Sequence, residues 1–136
     1  MCILKISSER NSFKPYLSEL SLPVFSVFDK GEYRDLAKKR PHEKYRLSID
    51  VSDREWDDFP GQVDDAIKFL KKYQRELDRL FTLVDDSDAC LDFPLYSRLD
   101  EEIINQNDHL PRELIALAGK LNIGIEMSIY SKDVFQ

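Results

Sequence analysis

A chain of 136 residues with 42% hydrophobic and 34% charged residues is the size of one domain, 1–136, with apolar content enough for a core. That balance excludes a disordered chain, and the formal net charge of −6 argues against nonspecific nucleic-acid binding, which needs cations against phosphates. No apolar run reaches membrane-span length, no basic leader precedes the first apolar stretch, and two cysteines, Cys2 and Cys90, do not make a disulfide framework. The expected location is therefore the cytoplasm, with both thiols reduced and the oligomeric state left open.

Residues 2–7 alternate as a strand, with Cys2, Leu4 and Ile6 on one side. Asn11 or Ser12 can cap a short helix carrying Phe13, Leu17 and Leu20, and Leu22-Pro23 should end it. Residues 24–28 read as a second strand, and Asp29-Lys30-Gly31 as a turn. The basic stretch 32–43 is hard to read, with a helical turn expected over 34–39. Residues 44–52 alternate strictly, placing Tyr45, Leu47, Ile49 and Val51 on a buried face and Arg46, Ser48 and Asp50 on a wet one.

A long helix is predicted over 60–83, with Val63, Ala66, Ile67, Leu70, Leu77, Leu80 and Phe81 at helical spacing. Asp64–Lys68 and Lys72–Glu76 can pair along it, and Trp56 is placed to staple its start. Asp85 and Asp86 oppose the dipole at the far end, which should fray or turn sharply. Residues 90–96 form the next strand, which Pro94 assigns to an edge or a bulge. After an acidic, irregular stretch, Pro111 and Glu113 open a helix with Leu114, Leu117, Ala118 and Leu121 buried. Asn122 stops it before a last strand on which Ile125, Met127 and Ile129 alternate with Glu126, Ser128 and Tyr130. The fold class expected is α+β: a ferredoxin-like, five-stranded, mostly antiparallel sheet with helices packed on one face.

Three stretches carry a family resemblance: the opening strand with Leu17-Ser18-Glu19-Leu20, the turn Asp29-Lys30-Gly31-Glu32, and Leu110-Pro111-Arg112-Glu113-Leu114 running on to Tyr130. In these the chain resembles a bacterial family of small α+β domains of unknown function, in which tryptophan often stands where this chain has Tyr45. The family supplies no catalytic residues. Related small domains occur among immunity proteins that neutralise polymorphic toxins, so the resemblance implies a binding role.

If the apolar strand faces meet the helices, the opposite faces converge on an open surface bearing Arg46, Asp50, Asp92, Tyr96, Glu126 and Tyr130. Tyrosine and arginine beside carboxylates suit a protein-binding patch, although an ordinary wetted sheet face is the plainer account. Asp92 and Glu126 on neighbouring strands are candidates for acid–base work, but no nucleophile, oxyanion site or phosphate loop accompanies them. The expectation is a non-enzyme without cofactor. Asp85-Asp86-Ser87-Asp88 lacks the glycine and distal glutamate of a calcium loop, and His42 and His109 have no partner at zinc spacing, so no metal is expected.

Charge is unevenly spread. Residues 30–46 hold seven Lys or Arg against three acids, and residues 85–102 hold seven acids against Arg98. Solvated loops explain both most simply, while the acidic surplus favours a basic protein, such as a toxin, as partner. The alternatives are a small-ligand-binding regulatory domain, using Arg34, Lys38, Lys39 and Arg40, and a weak hydrolase.

Overall fold

The computed structural model describes residues 1–35 and 40–133. In chain order these form β1 (Cys2–Ser8), a 3-10 helix (Lys14–Glu19), β2 (Val24–Phe28), β3 (Tyr33–Asp35), β4 (Arg40–Pro41), β5 (Tyr45–Ser52), α1 (Phe59–Leu83), β6 (Asp88–Tyr96), α2 (Arg112–Lys120) and β7 (Gly124–Tyr130). Five strands make one mixed sheet in the order β2-β5-β1-β6-β7, so the class is α+β. The pairings β2–β5, β5–β1 and β1–β6 are antiparallel, whereas β6–β7 is parallel because α2 crosses back between them. The small strands β3 and β4 pair with each other beside this sheet.

The alternation of the strands decides which side is dry. Leu4 and Ile6 of β1, Leu47 and Ile49 of β5, and Leu91 and Phe93 of β6 are buried in one cluster with Val63, Ala66, Leu70 and Leu77 of α1 and Leu114 and Ala118 of α2. α1 starts where Asp58 accepts a hydrogen bond from the Gly61 amide at 2.9 Å, with Pro60 in the first turn where no amide is needed. It ends in a sharp turn rather than fraying. Asp86 there accepts from Ser8 Oγ (2.7 Å), Asn11 Nδ2 (2.8 Å) and the amides of Glu9 and Arg10 (both 3.1 Å), which ties the helix end to the end of β1. Those bonds, from Ser8 and Asn11 foremost, hold the Asp86 carboxyl well below its ordinary range. α2 ends as expected, with Asn122 in the left-handed region at φ 58°.

Several expectations need correction. The segment after Asn11 is a 3-10 helix and not an α-helix, though Ser12 Oγ does accept from its first amide, Lys14, at 3.1 Å; it buries Phe13 and lies beside α1, where Glu19 meets Arg79 at 3.0 Å. Arg34 lies in β3 and not in a helical turn, and residues 36–39 of that expected turn fall outside the described residues. The strict alternation of β5 fails at its end: the register shifts between Cys2 and Ile3, so Ser52 turns inward and donates to Asp65 at 2.7 Å. β6 is neither an edge strand nor bulged. Pro94 is tolerated because β1 pairs with β6 only as far as Asp92, and the missing amide falls beyond that ladder. The Asp64–Lys68 and Lys72–Glu76 pairs do not form. Glu76 instead accepts from the amide and hydroxyl of Ser21, at 2.5 and 2.6 Å.

Among the described residues no helix is long and apolar enough to cross a membrane.

Candidate functional site

Lys5, Asp92, Glu126 and Ser128 come from β1, β6 and β7, and their register places them together on the side of the sheet away from the helices. Asp92 lies directly opposite Glu126. Lys5 Nζ donates to Glu126 Oε2 at 2.6 Å and stands 3.2 Å from Asp92 Oδ2, while Ser128 Oγ donates to Asp92 Oδ1 at 2.6 Å. Burial pulls the Lys5 ammonium down, but hydrogen bonds to Glu126 and Asp92 outweigh it and raise it overall. The two carboxylates thus meet as the sequence allowed, yet with a cation between them. A carboxylate pair working as acid and base needs mutual repulsion or desolvation to keep one proton on, and Lys5 cancels the repulsion. Cys90 lies beside Lys5 in the register, and its thiol is pushed up by burial and then by Glu126, the opposite of what a nucleophile needs.

The remaining expected residues fall at the two ends of this face. Tyr96 and Tyr130 meet under Trp56, whose ring stacks on Tyr130 at 4.6 Å and tilts against Tyr96 at 5.3 Å. Trp56, placed by its sequence position as a staple on α1, makes these ring contacts with the two tyrosines, and its carbonyl accepts from the Tyr96 amide at 3.3 Å. Arg46 borders a shallow hollow of about 500 Å3 shared with Lys5, Cys90 and Glu126. Close to it His42 is buried and stacks on Phe28 at 4.2 Å. Burial, then the charges of Arg34 and Arg46, lowers its pKa and favours a neutral ring. Asp50 is exposed, opposite Ile3, apart from the other carboxylates. The face is therefore three local groups and one isolated acid. Among the described residues, no group of three His, Cys, Asp or Glu side chains is arranged to hold a metal ion.

No family model, curated protein or solved structure matches this chain. Surface chemistry has to carry the functional reading, and its most unusual feature is on the other flank of β7. Leu99, Ile104, Met127 and Ile129 line an open hollow of about 460 Å3. Ile104 is 87% exposed, Ile129 60% and Leu99 46%, and Ile103 beside them is 48% exposed. Large apolar side chains gathered in the open mark an interaction surface, unlike the same residues scattered singly.

The loop presenting them is ordered by its own bonds. Arg98 bridges to Asp108 at 2.9 Å, Gln106 accepts from the Arg98 amide at 2.7 Å, and Ser97 donates its amide to the Tyr130 carbonyl at 2.8 Å. Asp100 accepts from the amides of Ile103 and Glu102 at 2.7 and 2.8 Å, bonds that hold its carboxyl below the ordinary range. Asp100, Glu101 and Glu102 are all exposed in the same loop, and Asp100 pairs with Lys132 at 3.5 Å.

The sheet edge adjoining this hollow is also an outer one: among the described residues β7 pairs with β6 alone. β7 is an outer strand of seven residues in unbroken register with β6, whereas the opposite edge, β2, is five residues long, irregular in register and preceded by Pro23. Short, bulged or proline-flanked edges discourage strand addition, and β7 has none of these defences. Sequence reasoning tied a basic partner to the acidic surplus over 85–102 but missed the apolar part of this surface, because it read the stretch before Pro111 only as acidic and irregular. The available signal was Ile103-Ile104 standing next to Glu101-Glu102 in a stretch with no helical or strand period.

Proposed function

We propose that this chain is a non-catalytic protein-binding domain, and that β7 with its flanking hollow is the surface that meets a basic partner protein. The observation that carries the proposal is the exposed group Leu99, Ile104 and Ile129 around half-buried Met127, with Asp100, Glu101 and Glu102 exposed in the same loop as Leu99 and Ile104. An apolar centre with a charged rim is the ordinary anatomy of a protein interface, and the sign of the rim selects the partner's charge. Burying Ile104 alone would contribute about 1.5–3 kcal/mol. A loop already held by its own hydrogen bonds loses little entropy on docking. Glu126 and Tyr130 on the other flank of β7 extend the surface toward the open face.

A toxin directed at nucleic acid, carrying a cationic surface, is the most concrete partner of this kind, and it accords with the resemblance to small immunity-type domains. The Lys5 bridge between Asp92 and Glu126 supports a non-enzyme over a weak hydrolase. We also read the first four long strands as a ferredoxin-like unit with α2 and β7 appended. Support comes from the order β2-β5-β1-β6, all antiparallel, in which β5 separates β2 from β1 and β1 separates β5 from β6. A cytoplasmic location fits two free thiols.

The test is capture from a lysate of the source organism with the full chain as bait, at low and at moderate salt. One stoichiometric protein of basic pI, released by salt, is the expected result. Absence of any stoichiometric protein at low salt would overturn the proposal.

A further inference from the structure

Away from the loop 97–110, α1 and the end of α2 form a cleft of about 430 Å3 whose lining includes Lys71, Lys72, Arg75 and Lys120, with Asp78 as the one lining acid. Four cations meeting in one concavity run against a chain of net charge −6. Lys71 and Arg75 are four residues apart on α1, where like charges repel. Lys71 is bridged to Glu113, but among the described residues no carboxylate forms a salt bridge with Lys72, Arg75 or Lys120.

The packing explains why Lys72 is left over. Its expected helical partner, Glu76, is taken by the amide and hydroxyl of Ser21, and Lys72 Nζ rests 5.2 Å from the Tyr73 ring centre. Lys120 suits the last turn of α2, which accounts for one cation and not for the convergence of four.

We propose that this cleft is a binding site for an oligophosphate, meaning two or more linked phosphates, either free or carried by a nucleoside. Lysine supplies compact point charges and arginine a planar fork that grips phosphate oxygens in pairs. Both helices contribute, so a ligand with several adjacent charges gains over a single phosphate or sulfate, which cannot reach all the cations at once. The volume lies within the range of small-molecule sites.

The experiment is calorimetric titration of tripolyphosphate, sulfate and ATP into the full chain at fixed ionic strength. The same titrations use Arg75→Gln, Lys120→Gln and, as a control remote from the cleft, Lys132→Gln. Tripolyphosphate is expected to bind saturably at one site and more tightly than sulfate. Either cleft substitution should weaken it about tenfold or more, while Lys132→Gln changes nothing. Without ligand, Arg75→Gln should melt no lower than the parent, since it removes a repelling charge, and Lys120→Gln, which also gives up a favourable charge at the end of α2, should remain folded by circular dichroism; lost binding is then not lost folding. ATP binding tighter than tripolyphosphate would identify a nucleoside-borne source, and equal binding a free one. No saturable binding, equal binding of sulfate, or insensitivity to both cleft substitutions would overturn the proposal. So would a short single-stranded RNA that bound through these residues while tripolyphosphate did not.

Discussion

Replacing Lys5 by methionine keeps the side-chain stem and removes the charge that bridges Asp92 and Glu126. At about 3 Å a fully screened attraction is about 1.4 kcal/mol per contact. Lys5 is 39% exposed, and measured pairs of this kind retain only about 0.2–1 kcal/mol after solvent screening and side-chain ordering. Two contacts therefore contribute about 1 kcal/mol. The two carboxylates face each other across β6 and β7 in parent and variant alike, so their repulsion cancels in the difference. The expected loss at pH 7 is about 1 kcal/mol, a fall of roughly 0.5 M in the urea midpoint at a typical slope. The pH dependence gives the sharper check. Lys5 is raised in the folded state, so its stabilisation is complete at neutral pH and is lost only as pH rises through the folded value. Urea melts of parent and Lys5→Met at pH 7 and at about pH 11, above the ordinary lysine value, measure both. A loss below about 0.3 kcal/mol at pH 7, or a gap at about pH 11 no smaller than at pH 7, would refute the reasoning.

Leu70→Ala should cost about 3–5 kcal/mol in urea unfolding, because Leu70 is fully buried on a helix packed against both the sheet and α2, so the cavity cannot collapse. Leu83→Ala, at 45% exposure, should stay within about 0.5 kcal/mol. Asp86→Asn should lower the thermal midpoint at neutral pH. Because the folded carboxyl is held low, its contribution is present above about pH 4 and lost as pH falls through the folded value; melts from pH 7 to pH 2 should show the gap closing. Gly31→Ala should cost about 1 kcal/mol by urea melt, since Gly31 sits at φ 92° with open space around it, and strain arises from the backbone alone.

The chain declared its strands well where one side is dry and the other wet. Leu4 and Ile6, and Leu47 and Ile49, alternate against polar neighbours and are buried as that pattern requires. It declared less where polar residues do inward work. Gln62 breaks the apolar stripe of α1 yet is fully buried, with its Nε2 donating to the Pro94 carbonyl at 2.9 Å and to the Glu55 carbonyl at 3.2 Å. Ser52 turns inward through a register shift that no local period reveals. Pro94 misled because an edge is one way to spare an amide, and a ladder that stops short is another.

The site was legible to a similar degree. Alternation alone put Asp92, Glu126, Tyr96 and Tyr130 on one face, and register then brought Lys5 between the acids. The contacts of Trp56 with Tyr96 and Tyr130 depend on the chain path between β5 and α1, and the exposed hollow beside β7 depends on where an irregular loop ends up. Neither has a periodic signature.

The most direct test of β7 and its hollow as the docking surface is a parallel capture with three baits: the parent chain, Ile104→Lys/Ile129→Lys, and Asp50→Lys, which alters the open face away from β7. The expected result is one stoichiometric partner held by the parent and by Asp50→Lys and lost by the double variant, with all three baits folded by circular dichroism. A partner retained by the folded double variant would contradict the account.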